Sequence, residues 1–152
     1  MAPQTYVDER DVQQVAVRYA TALDDKNWDL LRTCFHPDAS IHYPFGPVDG
    51  YDAIEQVCRR ALEPLDASQH LLGNFVVQVT GDRATCSCYF QAQHVRYGAE
   101  GGDLYTVGGR YVDELVRVDA GWVIASRRLE RMWISGNQGV LAVPGRPGGD
   151  SD

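Results

Sequence analysis

The sequence has few of the residues that mark a metal, redox or membrane protein. It contains four cysteines in 152 residues, and none forms a C-x-x-C pair or stands at zinc-like spacing with a histidine. No apolar run approaches the ~20 residues of a membrane span. The first residues, MAPQTYVDERD, lack the basic and apolar regions of a signal peptide. We therefore expect reduced structural thiols, no metal, no cofactor and a cytoplasmic location.

Positive charge is also scarce. Fourteen basic residues stand against 21 acidic ones, which gives a formal net charge of -7. Such a chain repels phosphate backbones and anionic lipid surfaces. We expect neither nucleic acid nor a membrane among its partners.

The hydrophobic pattern predicts helices first and strands afterwards. Asp8 is the candidate N-cap of an amphipathic helix, and later apolar stripes predict two more helices. The predicted helices occupy residues 8–24, 27–35 and 51–62, and a short strand lies between the last two. The length suits a single domain, with a flexible N-terminus at 1–7, one α+β domain at 8–143 and a disordered, glycine-rich and proline-rich tail at 144–152.

From Gln69 onward the apolar period changes to two, which predicts a meander of long antiparallel strands. Helices followed by such a sheet indicate an α+β fold with the helices on one face. Gly108 and Gly109 would let the strands curl. We expect a cone-shaped α+β barrel, in which a curved antiparallel sheet wraps around the N-terminal helices and leaves an open mouth.

Two histidines stand in unusual places. His70 heads an apolar run in SQHLLGN, and His94 shares the buried face of its strand with Cys86, Cys88 and Phe90. A buried neutral imidazole needs partners for its nitrogens. Either a backbone carbonyl or a carboxylate could supply them.

Several motifs resemble the SnoaL-like branch of the nuclear transport factor 2 superfamily, and within it the scytalone dehydratases. They extend from about Asp8 to Trp133 and read ALDDKNWDLLRTCF, IHY, SQHLLGN, QAQHVRY and GGRYVDELVRVDAGWVIASRRLERMW. The superfamily fold implied by this resemblance is the cone described above.

The resemblance also implies roles for individual residues. Asp24, four residues before Trp28, matches an aspartate that hydrogen-bonds a catalytic histidine, and His94 matches that histidine. His70 matches a second active-site histidine, and Tyr43 matches a tyrosine that polarises the substrate carbonyl. The chain departs from the pattern where it has Leu23, Gly109 and Tyr111 in place of a tyrosine, a serine and an asparagine.

The chemistry of these residue types favours proton transfer. A carboxylate that orients an imidazole makes it a general base, so we expect an Asp24–His94 pair to remove a proton next to a carbonyl group. Tyr43 and His70 would then stabilise the resulting enolate. Dehydration, isomerisation or cyclisation of a small hydrophobic cyclic carbonyl compound, polyketide-like or steroid-like, would follow. The alternative is a non-catalytic module that binds small molecules or assembles with partners.

The remaining candidates carry two interpretations each. Asp25 competes with Asp24 as the histidine partner, or is a solvated helix end. Arg127 either binds an anionic group or pairs with Asp24 inside the cone, or extends to its rim. Asn74 is a substrate donor or a member of a polar network, and Tyr111 lines the pocket or belongs to the core. The substrate-binding candidates are therefore Asn74, Phe90, Tyr111, Arg127 and Leu129.

The outer face of the sheet is more apolar than a free surface requires. By alternation it carries Tyr89, Val95, Val112 and Val116. We expect a homodimer or homotrimer.

Overall fold

The computed structural model describes residues 3–141, which form a curved sheet with helices on its concave side. The elements in chain order are α1 (Pro3–Asp24), α2 (Trp28–Arg32), β1 (Phe35–Tyr43), β2 (Gly46–Asp49), α3 (Tyr51–Leu62), β3 (Ala67–Thr80), β4 (Arg83–Val95), β5 (Leu104–Val118), β6 (Gly121–Gly136) and a closing 3-10 turn, Gln138–Leu141. The predicted disordered tail at 144–152, like the predicted domain end at 143, lies outside the described residues.

The first helix begins earlier than the sequence predicts. It starts at Pro3 rather than after Asp8, so residues 3–7, predicted as a flexible N-terminus, are helical. Asp8 does not cap the helix, because its carboxylate accepts two hydrogen bonds from the Arg117 guanidinium at 3.0 and 2.9 Å. The second helix is shorter than predicted, and Asn27 caps it by accepting a hydrogen bond from the Leu30 amide. The third helix has the predicted bounds.

Within residues 3–141, six strands form one sheet in the order β2-β1-β6-β5-β4-β3. The long strands β3 to β6 are antiparallel neighbours, as predicted. β1 pairs in parallel with β6, so the sheet is mixed rather than wholly antiparallel. The predicted α+β cone is confirmed, with one parallel pair added.

The core lies between α1, α3 and the inward face of the sheet. Val12, Val15 and Tyr19 of α1 are buried there, as are Cys86 and Cys88, which share one face of β4 as predicted. All four cysteines are buried free thiols. Among residues 3–141, no helix is long and apolar enough to cross a membrane.

Irregularities in the strands set which residues face inward. The register shifts between Gly108 and Gly109, between Glu114 and Leu115, and between Gly73 and Val76. A bulge of this kind inserts one residue and re-aims the side chains beyond it. These shifts determine which residues reach the cavity inside the cone.

Candidate active site

A cavity of about 270 Å³ occupies the open end of the cone. Its walls come from both helical and strand elements, and most of its lining is apolar or aromatic. The residues that line it are Tyr19, Leu23, Tyr43, Pro44, Phe45, Val57, Cys58, Ala61, Leu62, His70, Phe90, Ala92, His94, Tyr105, Val107, Tyr111, Leu129, Arg131 and Leu141. An apolar cavity with a few converging polar groups is typical of a small-molecule site.

Asp24 and His70 form a tight pair beside this cavity. The Asp24 carboxylate accepts hydrogen bonds from His70 Nδ1 at 2.6 Å, from the His70 backbone N–H at 2.8 Å and from Ser68 Oγ at 3.0 Å. Burial raises the pKa of Asp24, but the hydrogen bonds from His70 and Ser68 outweigh it, so this pKa lies below its ordinary value. Asp24 is therefore ionised at neutral pH, and His70 Nδ1 carries a proton.

This pairing corrects the predicted partner of Asp24. The sequence assigns His94 to Asp24, whereas the carboxylate contacts His70 instead. Asp24 is the last residue of α1 and lies against the start of β3, where Ser68 and His70 both face inward. Asp25, the competing candidate, is exposed.

His94 lies on the buried face, as alternation predicts, but its partner is a backbone carbonyl. Its Nδ1 donates to the Tyr105 carbonyl oxygen at 3.0 Å. Since a carbonyl can only accept, the proton of the neutral ring is at Nδ1, and Nε2 carries a lone pair. Burial lowers the pKa of His94 to about 4, so the ring is neutral at pH 7. The His94 and His70 rings meet edge to face, with centroids 6.1 Å apart.

Tyr43 brings a hydroxyl group to the same cavity. This oxygen is buried, and it forms no hydrogen bond of ordinary geometry with residues 3–141. The Cys58 thiol lies near it. Burial raises the pKa of Tyr43 well above its usual value, so the hydroxyl keeps its proton. Phe45 stacks on the ring at a centroid distance of 4.9 Å. Tyr43 thus keeps a hydroxyl proton that no ordinary hydrogen bond within residues 3–141 uses.

Three of the predicted substrate-binding residues line the cavity: Phe90, Tyr111 and Leu129. Phe90 and Tyr111 are buried and stack on each other at 4.3 Å. They form part of the apolar wall against which a cyclic molecule would pack.

Asn74 and Arg127 do not line the cavity. Asn74 has a φ of 51° within the irregular stretch between Gly73 and Val76, and its side chain is exposed. Arg127 is fully buried, at 0% exposure, and its guanidinium donates to both oxygens of Asp113 at 2.7 and 2.8 Å. It is neither bound to Asp24 nor extended to the rim.

Some residues of the site were not predicted. Ser68 donates to Asp24, and its position two residues before His70 on the same face was a usable signal. Arg131 lines the cavity two residues after Leu129, so strand alternation was a usable signal for it as well. Among the residues that the structure describes, no group of three or more His, Cys, Asp or Glu side chains is placed to hold a metal ion.

Comparisons with known proteins agree with this architecture. The family model for the SnoaL-like domain matches residues 4–128. The uncharacterized protein Rv2910c of Mycobacterium tuberculosis is 34% identical over 124 residues, which cover 79% of this chain and 82% of that protein. Terrestric acid biosynthesis cluster protein E of Penicillium crustosum is 31% identical over 143 residues, 89% of this chain and 90% of its own.

The fold is also found among solved structures. A candidate scytalone dehydratase from Novosphingobium aromaticivorans superposes with a TM-score of 0.81 and 23% identity, covering 90% of this chain and 92% of its own. At this level of identity, the similarity extends to the fold alone.

Proposed function

The chain belongs to the SnoaL-like domain family, and we propose that it is a cofactor-independent enzyme that transfers protons next to the carbonyl group of a small hydrophobic cyclic compound. The observation that carries this proposal is the Asp24–His70 pair, joined at 2.6 Å beside an apolar cavity. The relative named for terrestric acid biosynthesis supports a small molecule as the substrate.

His70 acts as the general base. Its Nδ1–H donates to Asp24, so its Nε2 lone pair is left for a substrate proton. When Nε2 takes that proton, the ring becomes positively charged beside an ionised carboxylate, which stabilises it. Three donors fix the Asp24 carboxylate, so the base is held in one orientation.

Tyr43 stabilises the oxyanion. Removal of a proton from the α-carbon moves electrons onto the carbonyl oxygen and forms an enolate. The buried Tyr43 hydroxyl can donate a hydrogen bond to that oxygen without first breaking a conventional bond within the described residues. A donor already placed where charge develops contributes most in an apolar, water-poor site.

His94 accepts a hydrogen bond rather than acting as the base. Its ring is neutral with the lone pair at Nε2, and a pKa of about 4 makes it a weak base. It is suited to orient a substrate hydroxyl group or a water molecule. The two histidines therefore perform different tasks, set by their different partners.

The substrate decides the outcome of the reaction. If His70 returns its proton to another carbon of the enolate, the product is an isomer. If it gives the proton to a β-hydroxyl group, the C–O bond breaks and water leaves. If the enolate carbon attacks a second carbonyl group, a ring closes.

Turnover of cyclic β-hydroxyketones and enones tests the proposal. We expect wild type to convert members of this panel and His70→Ala to lose about 10²- to 10⁴-fold in rate. His42→Ala is the matched control, because His42 is exposed on β1 and should retain wild-type turnover. Equal rates in folded His70→Ala and wild type would reject the enzyme in favour of a binding module.

A further inference from the structure

One residue of the cavity lining is an arginine, and it is exposed. This residue is Arg131, and none of the other lining residues in the described part of the chain is an Asp, Glu, Lys or Arg. Nothing in the proposed proton transfer uses this guanidinium. An exposed guanidinium at the rim of an apolar cavity, in a protein with net charge -7, therefore calls for a role of its own.

Arg131 shares the cavity-facing side of β6 with Leu129, two residues earlier in regular register. Gly109 pairs with Arg131, whereas the preceding Gly108 pairs with Trp133, so Met132 is the extra residue of a bulge. Before the bulge, Leu129 and Arg131 face the cavity. After it, the Trp133 ring lies against Gly108, where a Cβ would stand 2.0 Å from the ring.

Arg131 has no counter-ion among residues 3–141. Neither an ion pair nor a hydrogen bond involves its side chain there. Its neighbours on β6 differ, since Arg127 pairs with Asp113 and Arg128 pairs with Glu130 at 2.9 Å. Glu130 is also held by Arg110 at 2.9 Å, and these two hydrogen bonds lower its pKa. Glu130 is thus occupied by other partners and leaves Arg131 unneutralised.

Four residues that pair across the sheet place the Arg131 guanidinium near the Phe90 ring. Leu72, Phe90, Gly109 and Arg131 are successive partners across β3 to β6. Gly109 has no side chain, and a Cβ there would lie 2.7 Å from the Phe90 ring. A ring packed on Phe90 would therefore have Arg131 beside it.

We propose that Arg131 binds a carboxylate of the substrate, so that the cavity selects cyclic carbonyl compounds that are acids. A guanidinium offers two parallel N–H donors that match the two oxygens of a carboxylate. This inference deepens the proposed function and rests on it for the identification of the cavity as the substrate site. Arg131 is a specificity residue, and His70 remains the base.

Calorimetric titration with naphthoate and its neutral isostere naphthamide tests the inference. We expect wild type to bind naphthoate about tenfold more tightly than naphthamide, because a charge-assisted hydrogen bond at an exposed rim is worth roughly this much. Arg131→Gln should bind the two compounds equally, and Arg131→Lys should retain part of the preference. Arg128→Gln is the matched control, since it removes the same charge from the same strand at an exposed position and should keep the full preference.

Two results would overturn the inference: an unchanged preference in Arg131→Gln, or no preference for naphthoate in wild type, including no binding of either compound. The titration measures binding alone, so its failure is separable from that of the proposed reaction. An active enzyme without the preference rejects the acid-binding role only. An inactive protein whose preference depends on Arg131 rejects the reaction only.

Discussion

Asp24 shows how the polar site is built from single residues. Its carboxylate accepts three hydrogen bonds, of which two come from His70 and one from Ser68. The backbone N–H fixes one oxygen while the imidazole and the hydroxyl hold the other. Such a carboxylate cannot rotate freely, so the histidine that it binds also has a fixed orientation.

His94 couples the stability of the protein to pH. The unfolded chain takes up a proton on this histidine near its ordinary pKa of 6.5, whereas burial lowers the pKa in the folded state to about 4. Its stabilising contribution is therefore complete above pH 6.5 and is lost as the pH falls from 6.5 towards 4. We expect about 2 kcal/mol of the acid-induced loss of unfolding free energy to come from this residue.

Urea unfolding at neutral pH and near pH 4.5 measures this effect. His94→Gln removes the titrating group, so its unfolding free energy should change less between the two pH values than that of wild type. The comparison concerns the change with pH and is insensitive to a constant loss of stability in the variant. An identical pH dependence in the two proteins would contradict the assigned pKa.

For single residues, the sequence predicted correctly which side chains face inward, but it did not predict which residues form hydrogen bonds with each other. Strand alternation placed His94, Phe90 and Tyr111 on the inward face. It could not place the end of α1 against β3, which is what makes His70 rather than His94 the partner of Asp24. Contacts between a helix end and a strand depend on packing that no local pattern encodes.

Among the elements, β5 and β6 show how irregular pairing arranges the site. A register shift beside Leu115 leaves Ala125 unpaired and brings Asp113 opposite Arg127, which explains why this arginine is buried. A second shift at Gly108 and Gly109 comes directly after Arg131 and places the Trp133 ring against Gly108. The sequence analysis identified those two glycines as points where the strands can bend. Alternation alone does not specify how β5 and β6 pair around them.

Gly109→Ala tests whether close packing at the second shift is required. A Cβ at this position would lie 2.2 Å from the Glu130 carbonyl oxygen, which is backbone and cannot move without distorting β6. We expect a loss of about 1 to 3 kcal/mol in unfolding free energy, measured by urea denaturation. Gly73→Ala is the control, because a Cβ there meets no atom within 4 Å. Equal stability of the two variants would contradict the packing account.

Element boundaries were predicted less well than element types. The helix predicted from Asp8 begins at Pro3, since Asp8 pairs with Arg117 of β5 instead of capping it. Asn74 left the inward face because the strand is irregular there. In both cases a long-range contact or an inserted residue overrides the local pattern.

At the scale of the whole molecule, the outer face of the sheet carries an exposed apolar band. Leu71 is 60% exposed, Tyr89 45% and Trp133 43%. The band is flanked by Arg110 and by Glu130, which provide charges of both signs. We propose that a second copy of the chain covers this face in a homodimer or homotrimer, because a surface with both charges can complement itself.

Sedimentation at micromolar concentration tests the assembly. We expect wild type to have two or three times the 16.9 kDa mass of one chain, and Leu71→Arg to shift it towards monomer. Tyr97→Arg adds the same charge at an exposed position outside the strands and should leave the assembly intact. A wild-type protein that sediments as a monomer would reject the proposal.

The central claim is that His70, oriented by Asp24, removes a proton next to a carbonyl group in the cavity. Exchange of α-protons of indanone and tetralone for deuterium in heavy water, followed by proton NMR, measures this step without knowledge of the natural substrate. We predict catalysed exchange by wild type and by Asp25→Asn, and losses of about a hundredfold or more in His70→Ala and Asp24→Asn. Exchange by cooperatively folded His70→Ala at the wild-type rate would contradict the account.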